Sequence, residues 1–459
     1  MSEEPKDAAG TTKPAGLWSK GAPLDAEMLR YTARDDASLD VNLLPFDLQA
    51  SIAHVRGLGR IGALAEHEVS DLVKALEALV EETRAGTFTV GPTMEDGHTA
   101  IEIELTKRLG ETGKRVHLGR SRNDQVLVAM RLWEKHTGQV LADGSAQCAA
   151  SFLDLATSHR DVLMPGYTHL QRAMPQSVGH WALAFAEGFL DAAAVLDRAV
   201  ETCDKSPLGA AAGYGVNLPL DRDGAAAELG FAQLDVNPLW SQTSRGLSEV
   251  VLLTAAWHAM AVCRRLAWDL SLFTTSEFGF VELPDDYTTG SSIMPQKRNP
   301  DVVELMRAAC AIVQGAIMEV MSITSLPSGY HRDLQLTKGP VMRALAEAKA
   351  TLALVPSLVT RLSWRKDALA RAVTFETLAT DRAVELTRDG MPFRDAYKLV
   401  GTEVIAELKK RSVPLPVRAE DVQAGEASLR ARVSPGASGA LLVERIKARL
   451  ATRTPRGER

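Results

Sequence analysis

An all-α protein is predicted by three features of the 459-residue sequence. Apolar residues recur at three- and four-residue spacing over most of the chain. Period-two alternation, the mark of strands, is scarce throughout. Between the helical stretches lie a few polar islands, punctuated by glycine and proline and rich in basic, hydroxyl and amide side chains. The length exceeds what one core organises, so several domains are expected. The pattern divides into a disordered tail at 1–16, an N-terminal helical domain at 17–115, a central long-helix bundle at 116–365 and a small C-terminal helical domain at 366–459.

The tail is small, polar and Pro/Gly-containing, with almost nothing to bury. Helical patterning starts at Asp47 with DLQASIAHVRGLGRIGAL. In the next stretch Val69, Leu72, Val73, Leu76, Leu79 and Val80 keep helical spacing, and Gly86 supplies a stop. A third helix is expected near Thr99–Leu109. The island GKRVHLGRSRNDQV then places Arg120, Ser121, Arg122, Asn123 and Asp124 together, with Asp124 as a possible N-cap, before a long helix from about Gln125 toward His159. MPGYTHLQRAMPQ, bounded by Pro165 and Pro175, carries Thr168, His169, Gln171 and Arg172 ahead of a helix ending near Cys203. The glycine-rich run at 208–224 has no strand before it and no βαβ unit around it, so a dinucleotide site is not expected there. Helical patterns resume over Arg245–Phe273, Asp301–Thr324 and Val341–Leu362. Beyond Lys366 they shorten, with breaks at Gly390, Pro392, Pro414 and Pro416.

Two further islands sit between those helices. GSSIMPQKRNPD, Gly290 to Asp301, presents Ser291, Ser292, Lys297 and Asn299 beside a helix N-terminus, where free N–H groups and the dipole favour anions. The helix it opens, DVVELMRAACAIVQGAIMEVMSI, is apolar around most of its circumference and reads as a buried bundle helix. SLPSGYHRDLQLTKGP, Ser325 to Pro340, supplies Tyr330, His331, Arg332, Asp333, Gln335 and Lys338.

A hydrophobic content of 46% and a charged content of 24% are those of a soluble globular protein, and a net charge of −6 argues against nucleic acid as the main partner. An anionic substrate must therefore be held by local cations. Cys148, Cys203, Cys263 and Cys310 are widely spaced in apolar helical patterns, which suits buried free thiols rather than zinc or redox motifs. With no basic-then-apolar leader and no uninterrupted apolar run of about 18 residues, the expected location is cytosolic, with no membrane partner.

Islands far apart in sequence, joined by long helices, point to a site assembled by converging loops. They offer a histidine, hydroxyls, amides and cations but no metal-ligand cluster. Such groups bind carboxylates, move protons and stabilise a developing anion.

GSSIMPQKRNPD resembles the signature of the fumarase, aspartase and argininosuccinate lyase superfamily. GRSRNDQV, GYTHLQRAMPQ, PSGYHRDLQ and GMPFRDA, the last at Gly390 to Ala396, resemble argininosuccinate lyase specifically, and the likeness runs from about Leu17 to about residue 415. The resemblance implies reversible elimination of fumarate from argininosuccinate to give L-arginine, the last step of arginine biosynthesis, without a cofactor or metal. It implies Ser291 as the catalytic serine, in a loop that closes over substrate, and His169 as the catalytic histidine with Glu304 as its carboxylate partner. Lys297 and the helix opening near Asp301 are the groups that would favour the Ser291 alkoxide. Which of Ser291 and His169 is acid and which is base is left open. Asn123, Thr168, Tyr330, Gln335 and Lys338 are the implied substrate contacts, Lys297 and Asn299 those to the fumarate carboxylates, with Ser121 and Arg122 in the matching motif. A homotetramer with a twenty-helix core is implied, each site taking loops from three subunits.

Some positions depart from the family pattern. LWSKG replaces the usual Trp-Gly-Gly-Arg-Phe opening, and the N-terminal serine contact has either Ser38 or Asp36 as counterpart. His331 and Arg332 stand where Asn-Lys is common, and Leu336-Thr337 replace a frequent acidic pair. These bear on the arginine end of the substrate rather than on the elimination. The rival readings are a lyase acting on malate, aspartate or adenylosuccinate, and an inert crystallin-like scaffold. The 120–125 and 166–171 motifs speak against the first, and the joint presence of Ser291, His169, Lys297 and Glu304 against the second.

Overall fold

A computed structural model describes residues 25–91, 96–410 and 419–453. The tail expected at 1–16 and the LWSKG segment lie outside the described residues. The N-terminal helices are α1 (Ala26–Ala33), α2 (Asp36–Arg60), α3 (Glu66–Arg84), α4 (Gly97–Leu109) and α5 (Glu111–Lys114). The middle of the chain holds α6 (Arg122–Ser158), strands β1 (Leu163–Thr168) and β2 (Gln171–Ser177), α7 (Val178–Cys203), α8 (Arg222–Glu228), α9 (Pro238–Thr243), α10 (Leu247–Phe273), α11 (Asp301–Ile323) and α12 (Lys338–Thr360). The C-terminal part adds α13 (Lys366–Arg371), α14 (Ala379–Arg388), α15 (Phe393–Lys410), α16 (Ala419–Ala431) and α17 (Val443–Thr452). Among the described residues, strands are confined to two-residue ladders and the β1–β2 hairpin, so the fold is all-α.

The chain divides into two compact units, Met1–Met130 with Ser206–Gln242, and Arg131–Lys205 with Thr243–Arg459. In the first, α2 starts at Asp36 rather than Asp47, because the helix runs through Pro45. Its Leu44, Leu48, Val55 and Leu58 interlock with Leu72, Leu76 and Leu79 of α3 and with Ile101 and Leu105 of α4. The spacing that predicted amphipathic helices is thus the spacing that builds this core. Gly59 lets α2 and α3 approach closely, since a Cβ there would stand 2.8 Å from Val69.

The second unit is built on the long helices. α10 packs on α7, α11 and α12. Ser145 Oγ of α6 donates to the Phe189 carbonyl of α7 at 2.7 Å, and Phe152 stacks on Phe185 and Phe189 with centroids 5.3 and 5.8 Å apart. At Gly138 a Cβ would lie 2.6 Å from Val200, so only glycine fits that crossing without a shift. The four cysteines are buried and free, as their apolar surroundings suggested. α10 and α11 are long and apolar enough to cross a membrane by length and composition alone, but half of the apolar window of α10 is buried within the protein. α11 buries only 33% of its window and leaves Leu305, Met318 and Met321 exposed.

Candidate active site

The serine-bearing island is a closed loop with an open tip. Thr289 and Asn299 form an isolated antiparallel bridge, with N–H to carbonyl distances of 3.1 and 2.8 Å. Asn299 Nδ2 donates to the Gly290 carbonyl at 3.2 Å, and Arg298 is tied to the Leu283 carbonyl and the Asp285 carboxylate. Within the loop, Ser291 Oγ accepts the N–H groups of Met294 at 3.2 Å and Ile293 at 3.4 Å. Hydrogen bonds of this kind favour negative charge on the accepting oxygen. Lys297 is exposed, and its N–H closes a turn on the Met294 carbonyl at 3.1 Å. Pro300 is the residue before α11 rather than its first member, and Asp301 opens the helix while taking a hydrogen bond from the Thr289 hydroxyl.

One turn into α11, Glu304 lies 3.9 Å from Arg307. The Arg307 guanidinium lies over the Trp268 ring at 4.6 Å and donates to Ser271 Oγ at 2.9 Å. Neither Arg307 nor its support on α10 stands out in the sequence, because the i, i+3 spacing to Glu304 is that of any helical surface pair.

The histidine-bearing island is a β-hairpin. Thr168 pairs with Gln171, which leaves His169 and Leu170 as a two-residue turn with φ of 55° and 57°. Two successive left-handed residues are the geometry that matches strand twist, normally supplied by Asn-Gly. Thr168, His169 and Leu170 are all exposed, and among the described residues His169 makes no hydrogen bond or ion pair to Glu304 within the single chain.

The Ser121–Asn123 motif belongs to the first unit, as do Asp36 and Ser38, whereas the other candidate residues belong to the second. α6 begins at Arg122, so Asp124 lies in the first turn instead of capping it. Ser121 Oγ receives the Asn123 N–H at 3.3 Å. Asp124 is fully buried and accepts N–H groups from Ser121 at 2.9 Å and from Gly209 and Ala211 at 3.0 Å each. The glycine-rich run therefore folds around a carboxylate. Arg122 is ion-paired with Asp96. Burial works against the Asp96 charge, but His98 and Arg122 hold its pKa down to about 2. Asp40, Asp47, Asp96 and His98 are buried charges that periodicity could not reveal. Ser38 and Asp36 both lie in the first turn of α2, where Ser38 Oγ donates to the Asp35 carbonyl at 2.7 Å.

In the last island, the Tyr330 ring lies under the buried Arg245 guanidinium at 5.1 Å. Gly329 N–H donates to Thr243 Oγ1 at 3.0 Å. Gln335 sits in the 3-10 turn Arg332–Thr337, and Lys338, buried at 4% exposure, is the first residue of α12. Among the described residues, no group of three or more His, Cys, Asp or Glu is placed to hold a metal.

Comparison with known proteins places this geometry in a class. Residues 17–315 match a lyase family model, and residues 376–436 match the C-terminal model of argininosuccinate lyase. Two solved structures share the fold: an EDDS lyase in complex with formate, with TM-score 0.77 at 23% identity over 94% of this chain and 90% of that one, and a class II fumarase from Schistosoma mansoni, with TM-score 0.71 at 15% identity over 92% and 93%. The family model thus defines a lyase, and the fold is the one those two structures share. Argininosuccinate lyases of Sorangium cellulosum (strain So ce56) and Stenotrophomonas maltophilia (strain R551-3) are 58% and 47% identical to the chain, covering 95% and 94% of it and 98% of each relative. The chain belongs to the argininosuccinate lyase family.

Proposed function

We infer that the protein eliminates fumarate from argininosuccinate, leaving L-arginine, and catalyses the reverse addition. The reaction removes a weakly acidic proton from a carbon beside a carboxylate, so charge accumulates on that carboxylate before the carbon–nitrogen bond breaks. One preorganised donor to such an anion is typically worth ~3 kcal/mol. The observation that carries the reading is the pair of N–H groups on Ser291 Oγ, which prepares that oxygen for negative charge. In our assignment Ser291, His169, Lys297 and Glu304 are catalytic, and Arg307 restrains the Glu304 carboxylate. Ser121, Arg122, Asn123, Thr168, Asn299, Tyr330, Gln335 and Lys338 hold substrate.

We assign a cytoplasmic homotetramer with sites shared between subunits. The apolar surface left open on α11, with Leu305 at 71% and Met318 at 60% exposure, supports this, since another copy of the chain would cover such a face. Sedimentation at micromolar concentration should give a tetramer, and a predominant monomer would contradict the assignment.

The reaction is tested by following fumarate absorbance with argininosuccinate, malate, aspartate and adenylosuccinate supplied separately. Release from argininosuccinate alone is expected. Release from another of the four would keep the lyase class and overturn the substrate.

A further inference from the structure

Residues 373–381 and 428–432 do more for the β1–β2 hairpin than cover it. At its base, Leu163 of β1 is buried with Val373 and Leu429, and a Cβ on Gly425 would stand 3.0 Å from both Leu163 and Val373. Along β2, Arg172 Nη1 reaches Thr374 Oγ1 at 3.5 Å and Glu376 Oε1 at 4.0 Å. Thr374 Oγ1 itself donates to Glu376, while Glu376 Oε2 is buried without a hydrogen-bond partner. Nearer the end of β2, Arg432 Nη1 lies 3.4 Å from Met174 Sδ, and its Nη2 is held by Asp381 at 2.9 and 3.0 Å. Arg172 faces Tyr167 across the hairpin, three residues from His169.

We propose that Arg172 and Glu376 are positioning residues, which fix the direction of the hairpin tip and so of Thr168 and His169. This rests on the reading of those two as site residues. An isolated two-stranded hairpin is marginal in water, and a turn of two non-glycine residues at positive φ adds strain. Something outside the hairpin must therefore hold it. An ion pair with Arg172 42% exposed contributes at most about 1 kcal/mol to folding. Its effect is instead geometric: it ties β2 to a C-terminal segment that is itself anchored through Val373 and the Asp381–Arg432 pair. Displacing a reacting group by about 1 Å costs rate out of proportion to the stability lost.

The test uses the full-length enzyme with argininosuccinate. Glu376→Ala should lower kcat about tenfold, with KM within about twofold and the melting temperature essentially unchanged. Glu376→Gln, which keeps the side-chain volume, is measured beside it in case the alanine variant misfolds. The exchanged pair Arg172→Glu with Glu376→Arg should recover most of the lost kcat, and the kcat loss at an unchanged melting temperature is what a purely structural role would not produce. An unchanged kcat in both Glu376 variants overturns the proposal, as does a loss the exchange fails to recover. His169→Asn separates the two readings: if it retains full activity, the assignment of the site fails, whereas an inactive His169→Asn beside a fully active Glu376→Ala overturns the positioning role alone.

Discussion

Ser291 is an ordinary alcohol, and an alcohol is a poor base unless its surroundings favour the alkoxide. Two backbone N–H groups converge on its oxygen, and the loop that presents it is pinned by the Thr289–Asn299 bridge and by Arg298. Glu304 is arranged differently. Its neighbour Arg307 rests on Trp268 and Ser271, so the carboxylate meets a cation whose position is set by another helix. Removing the Glu304 charge should slow proton transfer without dismantling the loop. Glu304→Gln is expected to lower kcat by roughly 10- to 100-fold with KM little changed. Steady-state fumarate release checks this, and a wild-type kcat would remove Glu304 from the machinery.

At the scale of elements, the long helices were legible because burial imposes a 3.6-residue period, and α3, α7 and α11 each carry it. Close crossings were not legible, since they depend on single small residues within that period. Gly138 is the clearest case: Gly138→Val must push Val200 and Leu252 aside. Overpacking of this kind costs about 1–3 kcal/mol, which denaturant unfolding of the variant should register as a lower midpoint; an unchanged midpoint would mean the crossing yields freely. The polar islands at 113–126, 164–176, 290–301 and 325–340 could be seen from composition, but their internal shape could not. The 164–176 island hides a hairpin because its turn is His169-Leu170, without the glycine or asparagine that announces such a turn. Likewise Asp124 looked like a helix cap, whereas it is the buried acceptor around which residues 209–211 fold.

For the whole molecule, buried charge sets how stability responds to pH. In the first unit, burial opposes charge on His98, but the Asp47 carboxylate outweighs it, and Asp96 and Asp40 add to the effect, raising the imidazole pKa to about 8. The folded value exceeds the ordinary 6.5, so this stabilisation is fully present below pH 6.5 and is lost as pH rises through 8, about 2 kcal/mol in all. In the second unit, burial and then the Glu249 carboxylate push Glu134 up from 4.5 to about 8, against Arg131. Its contribution is fully present below pH 4.5 and also fades as pH rises through 8, so the sign is the same. The melting temperature should therefore fall between pH 6.5 and 8, and Glu134→Gln, which cannot ionise, should flatten the fall. A constant melting temperature across that range would contradict both assignments. None of these charges could be ranked from sequence, because Asp47, His98 and Glu134 each sit in helical runs where a polar residue ordinarily faces water.

The elimination itself is tested most directly by fumarate release from argininosuccinate in the wild-type protein and in Ser291→Ala, read by ultraviolet absorbance beside sedimentation of both. Release by the wild type and its loss in a variant of unchanged assembly is the result expected if Ser291 moves the proton. Turnover persisting at the wild-type rate in Ser291→Ala would contradict it.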